Sequence, residues 1–106
     1  MTRDDITLDI LAGSWRIFQL RRGHRFSTDD LLTAWASVRA QPQARRLLDL
    51  GAGIGSVGLL ALWKLSAAAH LTMVEVQAVS HALACRTVRY NGMAVRVTPH
   101  LQDLRH

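Results

Sequence analysis

The chain has 106 residues, 49% of them hydrophobic, with 13 Lys and Arg against 8 Asp and Glu for a formal charge of +5. That length allows one domain at most, and the apolar fraction excludes disorder. The longest apolar run, Val57 to Trp63, ends at Lys64, far short of a membrane span. Ile6, Leu8 and Ile10 alternate with Thr7 and Asp9, the period of a half-buried strand. Ala12-Gly13-Ser14 supplies a turn, and Trp15 to Leu20 is β-prone in return, so the start predicts a hairpin. Ser27 or Thr28 caps a helix to about Arg39, with Asp29 and Asp30 in its first turn and Leu31, Leu32, Trp35 and Val38 as its apolar stripe. Gln41-Pro42-Gln43 breaks the chain and divides residues 1–41, a hairpin and helix, from residues 44–106.

Beyond that break strand and helix alternate. Leu47 to Leu50 reads as a parallel strand covered on both faces. A helix from Ser56 to Leu65, a strand from Leu71 to Val76, a helix from Ala78 to Tyr90 and a strand from Val95 to Thr98 follow. Asn91-Gly92 supplies the left-handed stop of the second of these helices. The order predicts an α/β fold, a Rossmann-like parallel sheet of three strands preceded by the hairpin and a helix.

The chemistry lies in Asp49-Leu50-Gly51-Ala52-Gly53-Ile54-Gly55, glycines at alternate positions between a buried strand and a helix. Such a loop lets backbone N–H groups approach a ligand. Glu75 ends the next strand, where a carboxylate can accept from both hydroxyls of a ribose. Asp103, beyond the third strand, is placed for the amine of an adenine. A dinucleotide fingerprint needs glycine where Ser56 stands, and Asp49 would repel a pyrophosphate. The same acid would attract the amino group of a sulfonium amino acid, so S-adenosylmethionine is the expected cofactor.

These residues, with Val74-Glu75-Val76-Gln77 and the helix exit Tyr90-Asn91-Gly92-Met93, resemble the class I S-adenosylmethionine-dependent methyltransferases. The stretches Asp4 to Asp9 and Arg21 to Leu32 are similar to the tRNA adenine-N6 methyltransferases of the "methyltransferase small domain" group. That group also includes glutamine-N5 and ribosomal RNA guanine-N2 enzymes. The resemblance implies that Asp49, Gly51, Ala52, Gly53 and Gly55 form the cofactor loop and that Glu75 holds the ribose. It further implies that Val76 packs on the adenine, and that Asp103 with Leu104 meets its amine edge. Phe26, Thr28 and Asp29 match a segment near the cofactor's methionine end. The family's amine-gripping Asn-Pro-Pro-Tyr follows a fourth strand; no Asn-Pro pair occurs up to His106, so the 106 residues are expected to be an inactive N-terminal portion. The first parallel strand would then carry an unpaired apolar edge, a route to self-association.

Other residues carry blander readings. His24, His70, His81, His100 and His106 show no paired metal-ligand spacing, so no metal is expected. Cys85 reads as a small buried hydrophobe, and Trp35 and Trp63 as core. Trp15 reads as packing rather than a base-stacking surface, and Arg86 with Arg89 as a solvated stripe. Arg21, Arg22 and Arg25 form a basic loop that the resemblance turns toward tRNA or another RNA. One cysteine and an acidic N-terminus unlike a secretory signal fit a cytoplasmic protein. The alternative function is a non-catalytic RNA-binding or assembly module with a vestigial loop.

Overall fold

The computed structural model describes residues 5–23 and 25–105; Asp4, His24 and His106, used in the sequence reading, lie outside the described residues. The elements run β1 (Ile6–Ala12), β2 (Trp15–Leu20), α1 (Thr28–Ala40), β3 (Arg46–Leu50), α2 (Ser56–Lys64), β4 (His70–Glu75), α3 (Ala78–Tyr90) and β5 (Val97–Leu101). β1 and β2 pair antiparallel, with an irregularity between Ile10 and Ala12, while β3, β4 and β5 form a parallel sheet in that order. The expected α/β architecture is therefore present. No helix among the described residues is long and apolar enough to cross a membrane.

The sheet and helices meet through small residues. Register aligns Leu47, Leu71 and Val97 across the sheet, and likewise Asp49, Met73 and Pro99. Over these rows lies α2, so closely that a Cβ on Gly58 would stand 3.0 Å from both Asp49 Oδ2 and Leu71. Leu59, Leu62 and Leu71 are fully buried there, each contributing roughly 2 kcal/mol. α3 packs against β2 and β5, its His81 ring reaching the Pro99 carbonyl at 3.3 Å.

The hairpin is tied to α3 by polar contacts that no local pattern announces. Phe18 N–H donates to Thr87 Oγ1 at 2.9 Å, and Arg16 N–H donates to Asn91 Oδ1 at 2.8 Å. Asn91 Nδ2 donates in turn to the carbonyls of Arg16 and Thr87, both at 2.7 Å. Leu11, Ile17 and Phe18 belong to the same core as Leu59, Leu83 and Val97, so the core runs across the Gln41–Gln43 break. Gly92 takes the left-handed conformation that ends α3, with φ of 67°.

Four expectations need correction. β5 starts at Val97 rather than Val95, because the N–H groups of Arg96 and Val97 both turn back to the Met93 carbonyl. Pro99 is accommodated in that strand because β5 is an edge, where a missing N–H costs little. Trp35 and Trp63 are 53% and 41% exposed rather than core. α1 enters the core through Ala34, leaving Leu31, Leu32 and Trp35 along an apolar groove. Arg39 and Lys64 place their cations 4.8 and 4.6 Å from the two indole rings. β3 is covered on one face only among the described residues: Leu48 and Leu50, on the face away from α2, are 64% and 57% exposed. Cys85 is half-buried, its Sγ 3.4 Å from His81 Nε2.

Candidate functional site

Gly51, Gly53 and Gly55 all take positive φ, at 70°, 58° and 93°, a region open to glycine at little cost. Their surroundings separate two roles. A Cβ on Gly55 would lie 2.9 Å from Met73 Sδ, so this glycine lets α2 start close against the sheet. A Cβ on Gly51 or Gly53 would meet nothing within 4 Å, so these two border open space. The loop's amides are largely engaged within the chain: Gly51 and Ala52 donate to the Val74 carbonyl at 2.9 and 3.0 Å, and Gly55 to the Ala52 carbonyl at 3.0 Å.

Glu75 completes the loop. Its Oε1 accepts from Gly53 N–H at 2.7 Å and its Oε2 from Gln77 N–H at 2.8 Å. One buried carboxylate thus holds the glycine loop to the start of α3. Each of its oxygens keeps a second lone pair for a further donor. The Gln102 N–H donates to the Glu75 carbonyl at 2.9 Å, so the end of β5 stands beside the same corner.

Asp49 sits in register with Met73 on the helix-facing side of β3, and its Oδ2 is buried without a hydrogen-bond partner. Burial pushes its carboxyl above the usual carboxylate range; the Gly58 amide acts the other way, and the charges of Asp30 and Glu75 add to the rise. Asp30 reaches the loop from α1, its Oδ2 accepting from Ser56 Oγ at 2.8 Å and from Ser27 N–H at 3.3 Å. Three carboxylates therefore surround the start of α2. A cation or a group of hydroxyl donors suits this corner, and a phosphate does not. A cavity of about 390 Å³ runs under α1 along β3, with Asp49 in its wall.

The remaining predicted residues fall around this corner to different degrees. Val76 follows Glu75 and is exposed. Asp103 lies beyond β5, where Arg105 approaches to 2.8 Å and holds its carboxyl below the usual range. Leu104 is exposed beside it. Thr28 and Asp29 are exposed at the start of α1, two residues and one residue before Asp30. Phe26 is half-buried and its N–H donates to Gln19 Oε1 at 3.0 Å. Asp30 and Ser56 were not singled out as partners by the sequence; the signal was Asp30 three residues after Ser27, the spacing of a capping box. Arg25 is drawn inward, paired with Asp9 at 3.2 Å and donating to the Leu20 carbonyl at 2.7 Å.

Comparison with known proteins identifies the family. The family described as "Methyltransferase small domain" matches residues 27–104. A curated relative, the tRNA1(Val) (adenine(37)-N6)-methyltransferase of Serratia proteamaculans, is 32% identical over 76 residues, 72% of this chain and 28% of that protein. The N-terminal domain of EvdMO1 with SAH bound superposes with a TM-score of 0.64 at 26% identity, over 74% of this chain and 32% of that one. TYW2 of P. horikoshii, in complex with MeSAdo, gives a TM-score of 0.73 at 15% identity, over 99% of this chain and 39% of that one; at that identity it shows the fold alone. The chain spans little more than a quarter of the curated relative's length. With well over half of its residues matched by the family pattern, and with the strand, glycine loop and acid-ended second strand in place, the chain belongs to the methyltransferase small domain family.

Proposed function

We propose that this chain carries the S-adenosylmethionine-binding part of a methyltransferase whose substrate is the N6 amine of an adenine in tRNA. The observation that carries the cofactor reading is the buried Asp49 carboxylate beside the glycine loop, one oxygen of which makes no full hydrogen bond within the chain, with Asp30 and Glu75 adding negative charge. An amino group and a sulfonium answer that charge, whereas a pyrophosphate opposes it. The cofactor, when bound, supplies an electrophilic methyl group.

In this reading Asp49 holds the cofactor's amino group and Glu75 uses its remaining lone pairs on the ribose hydroxyls. Gly51, Ala52, Gly53 and Gly55 shape the loop, and the exposed Val76 and Leu104 offer apolar surface to the adenine. Asp103 takes the adenine amine, exchanging part of its contact with Arg105, and Thr28 borders the methionine end. The tRNA substrate rests on the curated relative, and a cytoplasmic location goes with it. No Asn-Pro pair occurs in these 106 residues, and none of them is assigned to gripping the target amine. Pairing of a second copy along the open edge of β3 is the self-association we assign to the isolated chain.

Calorimetric titration of the 106-residue chain tests the reading. S-adenosylmethionine is expected to bind, and Glu75→Ala or Gly53→Val to weaken it at least tenfold, without methyl transfer to tRNA by the chain alone. Retained RNA affinity with no cofactor binding would instead favour the non-catalytic module. Tighter binding of a nicotinamide dinucleotide would overturn the assignment.

A further inference from the structure

The charges of this chain are sorted by place. No Asp or Glu occurs between Glu75 and Asp103, or between Asp9 and Asp29, whereas these two stretches hold Arg86, Arg89 and Arg96, and Arg16, Arg21, Arg22 and Arg25. Asp30, Asp49 and Glu75 gather at the glycine loop. α3 starts at that corner and runs away from it, so Arg86 and Arg89 lie about 12 and 17 Å along the helix from Ala78 at 1.5 Å per residue. Both are exposed, because α3 buries Leu83, Ala84, Thr87 and Val88.

Aromatic rings stand among these cations. The Arg86 guanidinium lies 4.2 Å from the centroid of Phe18, and Tyr90 meets the same ring edge-on at 5.5 Å. Tyr90 itself is 56% exposed. The hydrogen bonds between Asn91 and the Arg16 backbone join this part of α3 to β2. Next along β2, Trp15 has Arg96 at 5.9 Å from its ring. Exposed guanidiniums beside the exposed Tyr90 ring and the half-buried Trp15 ring offer a nucleic acid both phosphate contacts and stacking. An acidic peptide would use the charges and leave the rings idle.

We propose that the face of α3 and β2 bearing Arg16, Arg86, Arg89 and Tyr90 is a docking surface for single-stranded RNA, separate from the cofactor corner. It rests on the reading of an RNA substrate and adds where the body of that RNA is held. At about 12–17 Å from the corner, the surface grips nucleotides flanking the reactive one. Arg25, held by Asp9, plays no part in it.

Fluorescence anisotropy of the 106-residue chain with a labelled single-stranded RNA, across a salt series, tests this. The double substitution Arg86→Glu and Arg89→Glu is expected to weaken binding at least tenfold. It should also make the log–log salt dependence shallower by about 1.4, two phosphate contacts at about 0.7 each. Arg86→Lys with Arg89→Lys should keep most of the affinity, and S-adenosylmethionine binding and Tm should stay as in the parent. Because Arg86 packs on Phe18, Arg89→Glu alone serves as the second variant, with about half the change in slope. Unchanged RNA affinity in a glutamate variant of parental Tm would overturn the proposal, as would binding of polyglutamate as tight as RNA. Loss of cofactor binding alone, with the RNA effects intact, would refute the proposed function and leave this surface standing.

Discussion

Replacing Asp49 by Asn should stabilise the protein while weakening its cofactor site. The side chain has one buried oxygen without a partner, and burial and the Asp30 and Glu75 charges hold its carboxyl above the usual range. A buried charge without a full hydrogen bond costs more than a neutral polar atom in its place, and at this half-buried position, beside two further carboxylates, the excess is about 1 kcal/mol. Asparagine keeps the shape and removes the charge, so a gain of about 1 kcal/mol is expected, or about 4–8 °C in Tm for a domain of this size. The pH dependence has a fixed sign. A carboxyl raised in the folded state costs stability once pH climbs from the unfolded value of 3.8 through the higher folded one. The gain from Asn is therefore complete above the raised folded value and closes on acidification below the unfolded one. Loss of a charge-assisted bond of about 1.5–3 kcal/mol should cost roughly tenfold to a hundredfold in S-adenosylmethionine affinity. Thermal melts of both proteins from pH 3 to 8, with calorimetry at pH 7, measure these quantities. An equal or lower Tm for the variant at pH 7, or a difference that persists in acid, would refute the reasoning.

Two further substitutions separate architecture from binding. Gly55→Ala combines a left-handed backbone with a Cβ 2.9 Å from Met73 Sδ, and should cost about 2–4 kcal/mol in denaturant unfolding; a loss no larger than that of Gly53→Ala, where only φ is at fault, would count against it. The open edge of β3, with Leu48 and Leu50 exposed, should make the isolated chain associate at tens of micromolar. Leu48→Lys should shift sedimentation toward monomer, and a parent already monomeric there would refute the edge assignment.

Much of the fold was legible because β3 and β4 are short runs rich in apolar residues. The loop between β3 and α2 was legible because three left-handed positions demand glycine. Periodicity marked Leu31, Leu32 and Trp35 as one apolar stripe of α1, but a stripe does not say whether anything covers it. The small Ala34 is what enters the core. The start of β5 slipped because Val95 has strand propensity, while the Met93 carbonyl captures two successive amides. Arg25 looked like a free basic loop residue because its partner, Asp9, lies 16 positions away across a hairpin. At the site, Asp49 and Glu75 stood out by position, whereas the inward reach of Asp30 to Ser56 depends on how α1 docks on α2.

The seam between β2 and α3 has a consequence for how the molecule comes apart. Thr87 and Asn91 supply the partners of the Phe18 and Arg16 amides, so neither element can open without stranding polar groups of the other. Hairpin and helix form one cooperative unit although Phe18 and Thr87 lie 69 positions apart in the sequence. Folding of the hairpin is thus completed only when α3, 69 positions further along the chain, arrives. The hydroxyl of Thr87 is the clasp that joins hairpin to helix.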